Sequence, residues 1–344
     1  MMTLSAAEIL KARKNLEGVV YRTPLRYSKK LSAISGAEVY LKWENLQKTG
    51  SFKLRGAYNK IYSLTSEKRS KGVITASAGN HALAVALVAK VMNLRAIVVV
   101  PENAPKIKVE QCRGLGAEVV LKGANYDESV AYCKTMISET GANYIPSFED
   151  YKVIAGQGTI GCEILEEMPD TNVILVPVGG GSLISGIALW AKTVNPNIRV
   201  VGIQSTAAYT MHECFKAKKI VDVPVPPTIA DGLAGGISQT TLDLTLKFVD
   251  EMVLAKEEEL KKAILWVLKN ERQVVEGAGI VGPAAILQGK IKFTPSEKVV
   301  VVISGGNIDM ELLNLPECMH AWAAPTMEKS IGSMCDGKVE KVFP

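Results

Sequence analysis

The chain has 344 residues, enough for about two domains. Hydrophobic residues make up 47% and charged residues 22%, a globular balance that excludes wholesale disorder and buries a core without disulfide or metal staples. The 40 Lys and Arg against 35 Asp and Glu leave a net charge of +5, dispersed along the chain, so no nucleic-acid partner is expected.

Cysteines stand at 112, 133, 162, 214, 318 and 335, without a CxxC pair, and three histidines cannot complete a zinc set with them. Reduced thiols and a cytoplasmic location are the expectation. The opening residues, MMTLSAAEILKARKNLEG, have the pattern of an amphipathic helix with internal charges, not of a secretory signal. The uncharged stretch from Val173 to Ala191 is interrupted by Pro177, a glycine triplet and two serines, which suits a strand, a loop and a buried helix rather than a membrane span.

In chain order, short apolar runs alternate with helical patterns. Val39–Trp43 is predicted as a strand, followed by a helix from Ser51 to about Leu64. Strands at Val73–Ala76, Ala96–Val100 and Glu118–Leu121 are each followed by a helix, starting near Asn80, after Pro105 and near Tyr126. Beyond a short extended piece at Tyr144–Pro146 come a helix near Gly158–Glu167, the strand Val173–Val178 and a helix from Ser182. Val200–Gln204 and Val299–Ser304 are further strands, with a charged helix at Glu257–Lys269 between them. Val- and Ile-rich strands separated by helices indicate an α/β fold with twisted, mostly parallel sheets flanked by helices. No Pro/Ser-rich linker divides the chain, so two domains would share an intimate interface.

Ligands in such sheets sit beyond the C-terminal strand ends, and five of those loops are unusual. Gly50 and Ser51 signal a turn and a helix cap, which places Lys53 in the first turn of a helix, where its charge opposes the dipole. It is either a solvated surface lysine or an amine whose charged form is disfavoured, as imine chemistry requires. Ser77, Ala78, Gly79, Asn80 and His81 open a helix with exposed backbone N–H groups, suited to a carboxylate. Gly179, Gly180, Gly181, Ser182 and Leu183 form either a phosphate cradle at a helix start or a plain tight turn. The pattern is neither a dinucleotide fingerprint nor a nucleotide P-loop. Gln204-Ser205 and Ser304-Gly305-Gly306-Asn307 end two further strands. Taken together, these loops describe a site for one phosphorylated, planar, carbonyl-bearing cofactor and one small carboxylate.

The runs SFKLRGA (with Lys53), SAGNHA (with Asn80), GQGTIG (156–161), GGGSL (179–183), ADG (230–232), EGAG (276–279) and SGGN (304–307) fall in one order. That order resembles the fold type II pyridoxal-phosphate enzymes of the tryptophan synthase β-like fold, specifically the threonine/serine dehydratase and serine racemase group. The resemblance implies pyridoxal 5′-phosphate as cofactor, a large domain of residues 1–65 plus 148–344, and a small domain of 66–147. Lys53 is similar to the lysine that carries the cofactor and moves the Cα proton, and Phe52 to the residue flanking its ring. Asn80 would bond the 3′ oxygen, and Gly179 to Leu183 would hold the phosphate, with Ser182 where the family has a fourth glycine. Ser304 would face the ring nitrogen, and Glu276 would sit nearby. Residues Ser77 to His81 would bind the substrate carboxylate.

Three departures matter. Ala78 stands where racemases of the group carry an acid–base serine, which argues against efficient racemisation. Gln204 and Thr210 stand where metal-activated members carry carboxylates, so no metal site is expected. His81-Ala82-Leu83-Ala84 replaces NHAQG, with bulk that alters either the pocket or only helix packing. The tail after Met310 is too short for the regulatory domain of biosynthetic threonine dehydratases and is expected to form a strap packed on the surface or at a subunit contact.

The resemblance thus implies a lyase that deaminates L-threonine to 2-oxobutanoate and ammonia, and L-serine to pyruvate, acting as a homodimer or homotetramer. The alternatives are a dehydratase for a bulkier substrate such as phenylserine, a residual serine or threonine racemase, and a catalytically idle amino-acid-binding protein.

Overall fold

Ten strands run through the described part of the computed structural model, residues 4–309 and residue 312. In chain order they are β1 (Leu25–Tyr27), β2 (Glu38–Trp43), β3 (Val73–Ala76), β4 (Ala96–Val100), β5 (Glu118–Leu121), β6 (Asn143–Tyr144), β7 (Val173–Pro177), β8 (Arg199–Ser205), β9 (Glu251–Ala255) and β10 (Lys298–Ile303). The chain divides into Met1–Ile308 and Asp309–Pro344, and all of these elements lie in the first unit. The expected tail strap, with Pro316, Cys318, Trp322 and Cys335, lies outside the described residues.

Two sheets result. One has the order β1-β2-β10-β7-β8-β9, parallel throughout except for β1; the other, β5-β4-β3-β6, is wholly parallel. Strands β4, β7 and β10 are almost entirely apolar because helices cover both faces of the sheets, and Val299 to Ile303 have no exposed surface. Burying each such side chain contributes about 1.5–3 kcal/mol before entropy is counted. Strand ends anchored in this way give the following loops fixed starting points.

The helix Lys53–Tyr62 connects the two layers. Leu54, Ala57, Tyr58 and Ile61 pack into one core with Val73, Ala82, Val85 and Val98 from the second sheet and its Asn80–Val91 helix. Its other side meets the helix Tyr151–Glu167 almost backbone to backbone. A methyl group on Gly156 would lie 2.5 Å from the Arg55 carbonyl oxygen, and one on Gly56 would lie 2.4 Å from Gln157 Nε2. Across the same helix, a methyl on Gly186 would lie 2.6 Å from the Gly158 nitrogen. The GQGTIG run is therefore a packing device that holds the Lys53 helix and the Ser182–Val194 helix at close, fixed distances.

A buried ion network adds a polar clamp. Arg55 donates to Glu44 at 2.8 and 2.9 Å and to Glu163 at 2.6 and 3.0 Å, and Lys42 donates to Glu163 at 2.6 Å. Burial alone would lower the Arg55 pKa, but Glu44 and Glu163 raise it above its ordinary value, so the guanidinium stays charged. The network pins β2 and the Tyr151 helix to the turn two residues after Lys53.

Three local expectations are corrected. Ser51 is not a helix cap: Phe52 precedes the first helical residue, while Ser51 forms a bridge with Gly305 and its hydroxyl has no partner. The helix expected near Gly158 starts at Tyr151, because Asp150 accepts from the Lys152 and Val153 nitrogens and close packing tolerates the glycines. The extended piece expected at Tyr144–Pro146 is a two-residue strand at Asn143–Tyr144.

Candidate active site

A cavity of about 370 Å³ opens where the C-terminal ends of β2, β3, β7 and β10 converge. Phe52, Lys53, Ser77, Ala78, Gly79, Asn80, His81, Gly179, Gly180, Gly181, Ser182, Leu183, Glu276 and Ser304 all line it. Motifs spread over 250 positions of sequence are thereby brought to a single place.

Lys53 is the first residue of its helix, and its Nζ donates to the Ser147 carbonyl at 3.0 Å. Protein walls surround the amine on every side but the cavity. That desolvation brings its pKa down to about 8, with Glu276 pulling weakly the other way. The surface-lysine alternative is thereby removed, and a neutral amine is accessible near neutral pH. The Phe52 ring centroid lies 5.2 Å from Nζ.

Glu276 precedes the helix Gly277–Leu287, yet its carboxyl does not cap that helix. It accepts from Asn80 Nδ2 at 2.7 Å. Burial, with repulsion from Asp231, pushes its pKa up to about 7 despite the Asn80 bond. Ser304 follows β10 directly and fixes the Phe52 nitrogen through its carbonyl at 3.1 Å, while its hydroxyl makes no hydrogen bond to described protein atoms.

The glycine loop is shaped by what surrounds it. A methyl on Gly179 would lie 2.9 Å from the Gly232 carbonyl oxygen, and one on Gly180 would lie 2.4 Å from Phe148. Gly181 has φ +92°, a left-handed conformation closed to most side chains, and leads into the Ser182 helix without a side-chain cap. The result is a narrow backbone cradle at a positive helix end, facing a cavity that also holds a low-pKa lysine and a free hydroxyl. This donor set fits a phosphorylated aldehyde.

On the opposite wall, Ser77 Oγ accepts from the Gly79 nitrogen at 3.3 Å, and the Asn80 helix follows. His81 is buried and donates from Nε2 to the Ile145 carbonyl at 2.9 Å; burial, with Lys53 nearby, lowers its pKa to about 3. The imidazole is thus held neutral, so an anion on this loop would meet backbone N–H groups and neutral side-chain donors rather than a charged partner. Leu83 lies in the apolar core beneath, which resolves its bulk as helix packing. Gln204 is buried with both amide ends used: Nε2 donates to the Val178 carbonyl at 3.0 Å and Oε1 accepts from the His212 nitrogen at 2.7 Å. Thr210 begins the next helix.

Several lining residues carried no sequence signal of their own. Phe148 covers Gly180, and Lys108 reaches Asp231 at 3.0 Å at the cavity wall. Asn307, quoted only as the end of SGGN, also lines the cavity. Of these, only Asp231 and Asn307 belong to a motif that could have pointed to them.

Residues 16–305 match the family model described as "Pyridoxal-phosphate dependent enzyme". An L-threonine ammonia-lyase of Thermotoga maritima is 47% identical over 315 residues, covering 91% of this chain and 78% of the relative. A catabolic L-threonine dehydratase of Staphylococcus aureus is 43% identical, covering 89% of this chain and 90% of the relative. Among solved structures, maize serine racemase superposes with a TM-score of 0.88 at 36% identity, covering 91% of this chain and 96% of that one.

Proposed function

The chain belongs to the pyridoxal-phosphate dependent enzymes, and on that premise we propose that it is a threonine ammonia-lyase that also accepts serine. The observation that carries this reading is the lysine at the first turn of its helix, facing the cavity with a pKa near 8, opposite a glycine cradle and a neutral carboxylate loop.

Bound through its aldehyde to an amine, the cofactor withdraws the electron pair left when a Cα proton departs. The rest falls to the chain. Lys53 would hold the cofactor through Nζ and, with that nitrogen free, would be the base for the Cα proton. Its depressed pKa keeps a useful fraction neutral. Gly179 to Gly181, with Ser182 and Leu183, offer backbone donors to the phosphate. Ser304 offers a hydroxyl to the ring nitrogen, and a hydroxyl, unlike a carboxylate, does not force that nitrogen to be protonated. Phe52 flanks the ring, Asn80 bonds the ring oxygen, and Glu276 holds Asn80. Backbone groups of Ser77 to His81 fix the substrate carboxylate, which orients the Cα–H bond toward Lys53. The β-hydroxyl would leave with a proton as water, and the released enamine would tautomerise to an imine that takes up one water to give the 2-oxo acid and ammonia.

Ala78 offers no proton on the face away from Lys53, which favours elimination over inversion. The small domain is assigned to 66–147, supported by the confinement of β3 to β6 to residues 73–144. No helix among the described residues is long and apolar enough to cross a membrane. Cytoplasmic residence and a homodimer or homotetramer complete the reading.

The test is a comparison of L-threonine, L-serine and phenylserine as substrates, following oxo-acid release and loss of optical activity in parallel. Threonine is expected to be deaminated fastest, with racemisation far slower. Racemisation outrunning oxo-acid release would overturn the assignment.

A further inference from the structure

The side chains of Asn307, Asn80 and Glu276 form one directed chain that starts at a backbone carbonyl. Asn307 Nδ2 donates to the Thr49 carbonyl oxygen at 2.8 Å, and a carbonyl can only accept. The same nitrogen donates its second hydrogen to Asn80 Oδ1 at 2.7 Å. With its oxygen held there, Asn80 turns Nδ2 to Glu276 Oε1 at 2.7 Å. One Asn80 amide hydrogen remains for a ligand in the cavity that Asn80 lines.

Two glycines hold the chain in place. A methyl on Gly50 would lie 2.4 Å from Asn307 Oδ1, and one on Gly305 would lie 2.3 Å from Glu276 Oε1 and 3.2 Å from Asn80 Nδ2. Any side chain at either position would displace the amides or the carboxyl, so glycine leaves the space they occupy. A flipped Asn80 would set its NH₂ against the NH₂ of Asn307 and lose that bond, and against the Glu276 carboxylate it would lose the second as well.

We propose that Asn307 is a positioning residue: it fixes the orientation of the Asn80 amide so that a hydrogen, not a lone pair, faces the cofactor's ring oxygen. This rests on the reading of the site given above. Asn307 touches neither reacting atoms nor substrate in this account; it acts through Asn80. Because it is anchored on Thr49, four residues before Lys53, the chain also ties the Asn80 loop to the turn that presents the lysine.

A double-mutant cycle on cofactor affinity tests this. Pyridoxal 5′-phosphate is titrated into cofactor-stripped wild type, Asn307→Asp, Asn80→Ala and the double variant, with the visible absorption band recorded for each and circular dichroism confirming the fold. Asn307→Asp keeps the shape but replaces the donor by an acceptor, so Asn80 flips. Affinity is expected to fall about fivefold or more, with a changed band. In the Asn80→Ala background the same substitution should change affinity less than twofold, because the residue it acts through is gone. Multiplicative losses in the double variant, or an Asn307→Asp protein indistinguishable from wild type, would overturn the proposal. Should Asn307→Asp not fold, Asn307→Ala removes the donor and supplies the same cycle. Wild type that takes up no cofactor would instead overturn the underlying functional reading.

Discussion

Replacing Lys53 by methionine keeps an unbranched side chain, one atom shorter, and removes the amine. In the folded protein the ammonium is disfavoured, its pKa falling from 10.5 to about 8 through desolvation. That difference corresponds to about 3 kcal/mol of destabilisation carried by the cofactor-free protein below pH 8. The figure is a ceiling, since the amine borders the cavity. Methionine also leaves the Ser147 carbonyl without its donor, a cost of about 1 kcal/mol. The net expectation is that cofactor-stripped Lys53→Met is about 2 kcal/mol more stable than its parent at pH 7, or about 3 °C higher in Tm. The sign of the pH dependence follows from linkage. Between pH 8 and 10.5 the unfolded lysine binds more protons than the folded one, so the parent gains stability as pH rises and the advantage of the variant shrinks. Urea unfolding of both proteins at pH 7 and pH 10 measures the difference, and titrations common to both cancel. A variant no more stable than its parent at pH 7, or an advantage unchanged at pH 10, would refute the claim that the fold disfavours the ammonium.

Gly180→Ala drives a methyl to 2.4 Å from Phe148; the cradle should deform and cofactor affinity fall at least about tenfold in a direct titration. Arg55→Met leaves Glu163 with Lys42 but Glu44 buried with only the Thr23 hydroxyl, and should cost about 3–5 kcal/mol in urea unfolding, partly recovered when Glu44→Gln is added. Gln204→Glu loses the donor to the Val178 carbonyl and should cost about 2–3 kcal/mol; thermal unfolding of that variant with and without Ca²⁺ shows whether a carboxylate there suffices to recruit a metal, and no rise in Tm is expected. For the parent, the carboxyl of Glu276, with its pKa near 7 in the fold against 4.5 outside it, makes stability fall as pH rises from about 4.5 to 7, and Glu276→Gln should flatten that slope.

The strands that carry the site were the easiest elements to foresee, because a buried parallel strand leaves an unbroken apolar run such as Val299–Ile303 bounded by Gly and Pro. The edge strands β1 and β9 and the helix Gly277–Leu287 left no such mark. That helix holds three glycines and Pro283, poor helix formers throughout, and it stands because nearly every residue in it is buried. Close helix packing likewise concealed the start of the Tyr151 helix. In the site, motif order named residues that line one cavity, but it could not say whether Lys53 was solvated, since that depends on walls supplied by distant loops. Nor did it suggest that the His81 imidazole is tied to Ile145, or that Phe148 covers Gly180.

The same physical device recurs at each part of the cavity: a backbone group of known polarity fixes the role of a side chain. The Ile145 carbonyl selects the Nε2–H form of His81, the Val178 carbonyl and His212 nitrogen orient Gln204, and the Thr49 carbonyl orients Asn307 and through it Asn80. Backbone positions are held by the packed strands and by the glycine contacts between helices, so these orientations survive changes of pH that would redirect a charged partner. Apart from the Lys108–Asp231 ion pair at its wall, the cavity holds one lysine and one carboxyl, Lys53 and Glu276, whose pKa values lie at about 8 and about 7. Burial thus keeps a neutral Lys53 amine within reach near neutral pH, which suits a base for a Cα proton. A site built instead on a full salt bridge would hold its lysine as a permanent cation, and the first step of the chemistry would be lost.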